Sequence, residues 1–445
     1  MGADLITRLA VSGVVGAGGA GFPAHVKLNA KADCVIINGA ECEPLLRVDQ
    51  QLMERYAFHL LEALEMIVEQ VGAQEGVVAL KDHYHGAVAA LERELPKFKK
   101  LRIHQMPSFY PAGDEHVLVH EVTGRIVPEG GIPLNSGAVV TNVETALNIR
   151  RMLLEEKPVT HKYVTVTGAV RKNVTVRVPV GITVRQAIEL AGGALVDSFA
   201  VINGGPMMGK LVSPDSFVTK TTKGLIVLPE DHILISSLRR PLSRSLREAG
   251  AACMQCSQCS VTCPRGLLGH RIEPHKMMRV ASYGSTCDVH SGLVNAYLCS
   301  NCRLCEYSCV MGLQPWKLNA FLKEELMKNG IKNSLHNQPE AADPFRAYKR
   351  FPTDKLIRLL GLTEYDVAAP MDEAELLKPE QVTLLLRQGA GAPAEPVVAV
   401  GDTVHTGDLL AVVPEGKLGS CLHASIDGKV TSITNEYVVV TAAGN

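Results

Sequence analysis

The sequence predicts a multidomain α/β protein, with a helical cysteine-rich segment and a compact all-β module after the α/β part. Strand-like and helix-like stretches alternate over roughly the first 150 residues. Two runs of closely spaced cysteines lie in a helical region between residues 240 and 330. Short strands separated by Gly-Asp and Asp-Gly turns close the chain.

DCVIINGA (33–40) reads as the end of a buried strand, and YAFHLLEALEMIVEQV (56–71) as a strongly amphipathic helix. GVVALK (76–81) is a second strand and HGAVAALEREL (85–95) a second helix, the alternation of a parallel sheet. KYVTVTGAV and NVTVRVPVGITVRQAIELAGG, within 161–212, describe a small strand-rich unit around one helix. Residues 240–330 are helical between the cysteine runs, and a polar, proline-containing stretch (336–353) follows. QGAGAPAEP (388–396) has the composition of a linker. VVAVGDTVHTGDLLAVV and HASIDGKVTSITNEYVVV then form the all-β module.

The 445 residues suffice for three or four domains, and 46% hydrophobic with 20% charged residues is a globular composition. Aromatics make up only 4%, and 45 Lys+Arg against 46 Asp+Glu leave a net charge of −1, which argues against a nucleic-acid partner. No apolar run reaches the roughly 18–20 residues of a membrane helix. LAVSGVVGAGGA is not read as a signal sequence, because Asp4 lies before it and its glycines oppose a helix. Any membrane contact is expected through a partner.

Eight of the 12 cysteines form the two runs. Cys253-x₂-Cys256-x₂-Cys259-x₃-Cys263-Pro264 is repeated as Cys299-x₂-Cys302-x₂-Cys305-x₃-Cys309, with Val310 in place of the proline. Three thiolates at this spacing wrap three iron corners of a cubane, and the fourth cysteine serves the neighbouring cluster. One 4Fe–4S cluster is therefore expected on Cys253, Cys256, Cys259 and Cys309, the other on Cys299, Cys302, Cys305 and Cys263. Zinc sites use paired C-x₂-C half-sites rather than three cysteines in series. Such thiolates belong in the reducing cytoplasm. Cys34 and Cys421 read as small buried hydrophobes. Cys287 has no evident partner, and Cys42, between Glu41 and Glu43, reads as structural filler.

SGVVGAGGAGFPAHVK (12–27) holds a literal G-x-G-x-x-G from Gly16 to Gly21. A standard dinucleotide fold needs a crossover helix of useful length after it. Only Ala24–Ala32 separate Pro23 from the strand at Asp33, which is too short. The loop's general use remains: successive backbone N–H groups cradle a phosphate, with Lys27 adding positive charge.

GAGGAGFPAHVK followed by NGAECEP (38–44), YPAGDEH (110–116) and TNVETAL (141–147) is similar, in this order, to the flavin site of the NADH-binding subunit of respiratory complex I and of the C subunit of Rnf complexes. INGGPMMGK (202–210) lies in a stretch similar to the β-grasp domain that follows in that family. Paired cysteine runs are a feature of the Rnf-like branch. Rnf C subunits carry a barrel-sandwich module before the flavin domain; here the similar module stands at the C-terminal end. That layout resembles the cobalamin reductases of propanediol-utilising bacterial microcompartments.

The resemblance implies a Rossmann-like FMN domain at 1–155, a β-grasp (SLBB-like) domain at 160–235 and a two-cluster ferredoxin-like helical domain at 240–335. A helical or linker segment (336–390) and a barrel-sandwich hybrid module (391–445) complete it. FMN phosphate is expected on Gly16, Gly18 and Gly19, with Lys27 close by. Asn38, Glu41, Gly113, Asp114, Asn142 and Thr145 are expected around the flavin ring and ribityl chain. Phe22 and Glu43, with Glu115, match positions that contact the nicotinamide nucleotide. Ala17 stands where the family often has Arg, and Thr141 where it has a second Asn; the lost Arg is expected to weaken phosphate or nucleotide affinity.

NADH would then reduce FMN, and two 4Fe–4S clusters would pass electrons singly to cobalamin, lowering Co(III) to Co(II) or Co(I). No catalytic acid, base or nucleophile is required. The implied partners are a corrinoid adenosyltransferase and a microcompartment shell protein, and the implied location is the cytoplasm, inside the compartment. Cobalamin is expected as a transient substrate, since Asp288-Val-His290-Ser-Gly292 has its glycine one residue early for a D-x-H-x-x-G cobalamin motif. The alternatives are an Rnf C-like subunit reducing ferredoxin or a membrane complex, and an electron relay without NADH turnover. ADLITRLAVSG fits an encapsulation helix, and fits the family's ordinary first helix. The β-module also resembles lipoyl carrier domains, but Lys417 and Lys429 lie in turns without the carrier pattern, which favours a structural or docking use.

Overall fold

The structure is a computed structural model that describes residues 2–283, 293–373 and 377–442. Cys287 and the 288–292 segment lie outside the described residues.

The N-terminal domain is built on a parallel sheet of β1 (Cys34–Gly39), β2 (Glu75–Lys81), β3 (Leu101–Met106) and β5 (Ala138–Asn142), in the order β3-β2-β1-β5; a two-residue strand, β4 (Phe109–Tyr110), stands apart. Alternate residues of β1 enter two cores. Val35 and Ile37 pack with Leu60, Leu61 and Leu64 of the helix Ala57–Val71. Cys34 and Ile36 pack with Val117 and Leu118 of the helix Glu115–Thr123. This two-sided burial is why the strand reads as a continuous apolar run. Each fully buried aliphatic side chain contributes about 1.5–3 kcal/mol. Cys34 is the small buried hydrophobe that its strand position suggested.

The helix between the glycine loop and β1 spans only Ala24–Leu28, and Val15 forms a single bridge with Pro23. Among the described residues no dinucleotide-type strand leads into the loop, in keeping with the short crossover. The N-terminal helix Gly2–Val11 buries Leu9 in the first core, and Arg8 donates to the carbonyls of Met152 and Leu153 at 3.4 and 3.2 Å. It is packed as an ordinary first helix.

The second unit comprises β6 (His161–Gly168), β7 (Val174–Pro179), β8 (Phe199–Asn203), β9 (Lys210–Val212) and β10 (Gly224–Pro229), around the helix Val184–Leu190. With β12 (Met371–Asp372), from much further along the chain, they make a six-stranded sheet in the order β12-β7-β6-β10-β8-β9. Thr183 and Gln186 close a capping box at the start of that helix. The helices Leu242–Ala252, Pro274–Tyr283 and Pro315–Lys328 enclose the cysteine runs.

The segment expected to be helical or linker (336–390) contains the short helices Arg346–Lys349 and Thr353–Leu359, and strands besides. β11 (Phe351–Pro352) pairs with β4, and β12 extends the β-grasp sheet along β7. β13 (Gln381–Leu385) joins β15 (Thr403–Val404), β18 (Gly428–Ile433) and β19 (Tyr437–Ala442) in a C-terminal sheet ordered β13-β19-β18-β15. There Val382 and Leu384 pack with Val438 and Val440. The β-module therefore begins before residue 391; the polar KPEQ ahead of Val382 hides a strand whose partner, β19, is distant in sequence. β14 (Glu395–Pro396), β16 (Leu409–Val412) and β17 (Leu422–His423) form its second sheet. Lys429 lies in β18 rather than in a turn. Residues 388–396 do not hang free: Ala390 N donates to Gly21 O at 3.1 Å, tying the module to the glycine loop. Among the described residues no helix is long and apolar enough to cross a membrane.

Candidate functional site

In the sheet order β3-β2-β1-β5, the chain reverses direction of growth between β1 and β5, the crevice where open α/β sheets bind ligands. Asn38 and Asn142 are register partners at the carboxyl ends of these two strands. The glycine loop passes over this crevice. Its neck is closed by Gly16 N to Phe22 O (2.9 Å) and Gly21 N to Gly16 O (3.2 Å), and Ala17 N donates to Thr145 Oγ1 (2.8 Å). Gly18, Gly19 and Ala20 are exposed, and among the described residues their amides have no hydrogen-bond acceptor. Gly19 adopts φ +122°, which L side chains rarely occupy. Three adjacent unpaired donors fit a phosphate; the amide of Gly16, spent on the turn, does not contribute.

A charged layer lies beneath the loop. Glu144 and Lys162, each 1% exposed in the side chain, form an ion pair, and Lys162 Nζ also donates to Ala17 O (3.2 Å). Tyr163 N donates to the other Glu144 oxygen (3.1 Å). Lys223 pairs with Asp49 and stands 3.6 Å from Glu41. Asn142 joins the two groups: its Nδ2 donates to Asp49 (2.9 Å), and its Oδ1 caps the helix Val143–Glu155 by accepting from Glu144 N (3.0 Å). Burial pushes the Asp49 carboxyl up to about 6 against the pull of Lys223. Glu41 spends its carboxylate on the amides of Asp49 (2.9 Å) and Gln50 (3.2 Å), at the start of the helix Val48–Arg55.

The other expected residues surround the same crevice. Asn38 Nδ2 donates to Gly113 O (2.9 Å), and a Cβ on Gly113 would stand 3.1 Å from Asn38 and 3.3 Å from Cys42 Sγ, so only glycine fits without displacement. Lys27 donates to Val140 O (2.9 Å) and pairs with the half-exposed Glu115 at 3.1 Å. Phe22 is half-buried at the loop neck. Glu43 is held by the β-grasp unit, accepting from the amides of Met207 (2.8 Å) and Met208 (3.0 Å). Burial raises its carboxyl to about 7, against those amides and Arg303. Asp114 caps the helix Glu115–Thr123 and its second oxygen accepts from Arg265 (2.9 Å), two residues after Cys263.

The cysteines gather in the crossed arrangement that their spacing implies. Cys253, Cys256, Cys259 and Cys309 line one cavity, walled by Met254, Met278 and Leu313. Cys263, Cys299, Cys302 and Cys305 form the second group: burial raises all four thiols, and neighbouring sulfurs add to the rise at Cys263, Cys302 and Cys305. The two runs meet at matching positions: Thr262 and Ser308, each just before a fourth cysteine, hydrogen-bond to one another at 2.8 Å. Gln255 and Ser257 flank Cys256 with φ of 54° and 59°, and Asn301 and Arg303 flank Cys302 with 56° and 61°. Four non-glycine residues in the left-handed region cost of order 1–3 kcal/mol each and are the means of curling the backbone around a bulky group. Burial and neighbouring sulfurs push Cys259 up to about 12, so its thiolate calls for a compensating cation beside it. The donor type, cavity and curled backbone fit two iron–sulfur clusters.

Several residues that matter here carry no recognisable motif. Lys162 and Lys223 come from the β-grasp unit, Lys162 buried in β6 and Lys223 just before β10, and neither position has a sequence signature. Arg265 directly follows Cys263-Pro264, and that adjacency was the signal that could have found it. Tyr110 opens YPAGDEH; it is buried, and its hydroxyl donates to Cys302 O at 2.9 Å.

Comparison with known proteins matches four family models along the chain: the Nuo51 FMN-binding domain (9–151), the SLBB domain (163–211), a 4Fe-4S dicluster domain (252–314) and the RnfC barrel sandwich hybrid domain (367–444). The cobalamin reductase PduS of Citrobacter freundii is 43% identical over 97% of this chain and 95% of its own length. That of Salmonella typhimurium is 44% identical over 98% and 96%. The C subunit of the Na(+)-translocating ferredoxin:NAD(+) oxidoreductase complex of Acetobacterium woodii is 34% identical over 59% of this chain and 58% of its own. With the flavin, SLBB, dicluster and barrel-sandwich units in this order and near-full-length identity above 40%, the chain belongs to the cobalamin reductase PduS family.

Proposed function

We propose that this protein is an NADH-dependent cobalamin reductase working through FMN and two 4Fe–4S clusters. The observation that carries the reading is the union, in one chain, of an amide-lined loop at a sheet switch point and two crossed cysteine sets docked against it. The family relationship names cobalamin as the acceptor. The balance is NADH + 2 Co(III) → NAD⁺ + H⁺ + 2 Co(II); a further electron per cobalt gives Co(I).

When bound, FMN supplies the exchange between a two-electron hydride donor and one-electron carriers, and the clusters supply single-electron transfer. The chain's residues have the complementary roles. The amides of Gly18, Gly19 and Ala20 bind the FMN phosphate, with Lys27 as the neighbouring cation, while Thr145 and Lys162 fix the loop through Ala17. Asn38, Gly113 and Asn142 shape the crevice for the ring, and Glu41, Asp49 and Lys223 hold it from below. Phe22, Glu43 and Glu115 are assigned to the nicotinamide nucleotide. The two cysteine sets bind the clusters. A corrinoid adenosyltransferase is the consumer of reduced cobalamin, and a microcompartment with its shell protein is the setting.

The test is anaerobic: protein loaded with FMN and clusters, NADH added, and hydroxocobalamin reduction followed by absorbance, with free FMN and Glu43→Ala as controls. Turnover above the free-flavin rate, reduced in the variant, is the expected result. Flavin bleaching by NADH with cobalamin left oxidised would transfer the reading to an Rnf C-like or relay role.

A further inference from the structure

We infer that the two cluster sites act in a fixed order: the set of Cys263, Cys299, Cys302 and Cys305 takes electrons from the flavin, and the set of Cys253, Cys256, Cys259 and Cys309 delivers them to the acceptor. This rests on the flavin and cluster reading above and assigns the route within it. Among the described residues, the hydrogen bonds from the flavin domain into the cysteine-rich unit end at Cys302, Arg265, His270 and Arg271. Cys302 is in the first set, and Arg265 follows Cys263 by two positions. The bond from Tyr110 comes from the loop that also carries Gly113 and Asp114, the residues packed on Asn38 and held by Arg265. Cys42 and Cys302 pack against the same buried group, which contains Leu45, Tyr110 and Met207. The inner set is thus joined to the flavin crevice by covalent neighbours and hydrogen bonds.

The other set faces outward. Cys256 is exposed, whereas Cys263 and Cys305 are buried. The cavity of Cys253, Cys256, Cys259 and Cys309 is rimmed by Met254, Val310 and Met311, which are 63%, 68% and 46% exposed. Thr262 precedes Cys263 of the inner set and Ser308 precedes Cys309 of the outer one, and their 2.8 Å hydrogen bond brings the two sets together there. With FMN and both clusters bound, each electron would pass by the inner and then the outer set, each cluster would return to its starting charge, the protons of reduced FMN would go to solvent, and the acceptor would gain one electron per transfer.

The test uses full-length protein loaded with FMN and iron–sulfide, with bound FMN reduced by light and oxalate, so that a failure of NADH to react would bear on the proposed function alone. Cys302→Ala and Cys256→Ala are prepared, iron and FMN are measured, and the remaining cluster is followed by electron paramagnetic resonance. In Cys256→Ala the remaining cluster is expected to be reduced through the flavin as in the unaltered protein. In Cys302→Ala it is expected to lose flavin-driven reduction while still responding to dithionite. The reverse pattern, or equal reduction in both, overturns the order. If Cys302→Ala fails to fold or loses both clusters, partial iron removal from the unaltered protein by a chelator decides. The exposed cluster should go first and leave one still reducible through the flavin; a remainder that only dithionite reduces overturns the inference.

Discussion

Replacing Lys162 by Met should be among the most damaging single changes near the flavin crevice, although no motif marks the residue. Lys162 and Glu144 are each 1% exposed in the side chain, so neither exchanges its partner for water. Lys162→Met leaves Glu144 with the Tyr163 amide (3.1 Å) as its donor and strips the Nζ donor from Ala17 O (3.2 Å). Removing one member of a buried ion pair destabilises by about 3–5 kcal/mol, because the remaining charge is stranded. The lost bond to Ala17 acts on the loop whose free amides are assigned to FMN phosphate, and each 1.4 kcal/mol felt there is about tenfold in FMN affinity. Urea unfolding should be followed by circular dichroism and by release of FMN fluorescence, since a multidomain chain need not unfold in one step. The single variant should lose FMN at much lower urea. Glu144→Leu combined with Lys162→Met should recover most of the stability, because two apolar side chains replace the pair without stranding a charge. A single variant within about 1 kcal/mol of the parent, or a double variant as weak as the single, would refute the account.

Other outcomes follow from the same geometry. Gly18→Ala places a Cβ at an ordinary 3.5 Å from Asn142, so folding should be unchanged while FMN affinity, measured by fluorescence quenching, falls. Gly19→Ala has open space but φ +122°, and should cost about 1–3 kcal/mol through the backbone alone, seen as a lower melting temperature. Glu43, raised to about 7 from an ordinary value of 4.5, contributes stability that is fully present below pH 4.5 and is lost as pH rises through about 7; Glu43→Gln should flatten that part of the melting-temperature profile between pH 5 and 8. Cys309→Ala, although in the second run, should remove the same cluster signal as Cys253→Ala, and loss of the other signal would disprove the crossed ligation.

The parts of the fold written in local pattern were legible in the sequence. The amphipathic helix ending at Val71, the apolar strand at Cys34 and the paired cysteine runs each declare themselves within a dozen or so residues. The flavin motifs were legible as short segments, and the structure gathers Asn38, Gly113, Asn142 and Thr145 at one crevice. What sequence could not show is set by distant partners. β13 is a strand because Val382 and Leu384 find Val438 and Val440, and without that partner VTLLL is ambiguous. Lys162, in β6, and Lys223, just before β10, matter because the β-grasp unit presents them to Glu144 and Asp49, and such a lysine looks solvent-facing until the neighbouring domain is known. Glu41 shows the converse: its place beside the motif suggested the flavin, while its carboxylate went to the nearest unsatisfied donors, the first amides of the following helix.

The crevice is therefore not the property of one domain. Glu43 is set by β-grasp amides, Asp114 by the arginine beside a cluster cysteine, and Gly21 by the strand-linked segment of the C-terminal module, which approaches so closely that a Cβ on Gly21 would lie 2.6 Å from Gly389 Cα. Lys220 adds a further tie, donating to Gly13 O (2.9 Å) and Cys421 O (2.7 Å) from a buried position. Each tie satisfies a polar group that would otherwise be buried without a partner, so docking of the units and formation of the site are energetically one event. For an electron carrier this has a use beyond stability. Transfer between centres depends on their separation and orientation, and hydrogen bonds from Tyr110 and Arg265 fix the flavin loop to the inner cysteine set more rigidly than apolar packing alone would. Among the described residues, the segment leading into the C-terminal module is hydrogen-bonded to the glycine loop through Ala390 N and Gly21 O, while Cys256 is exposed.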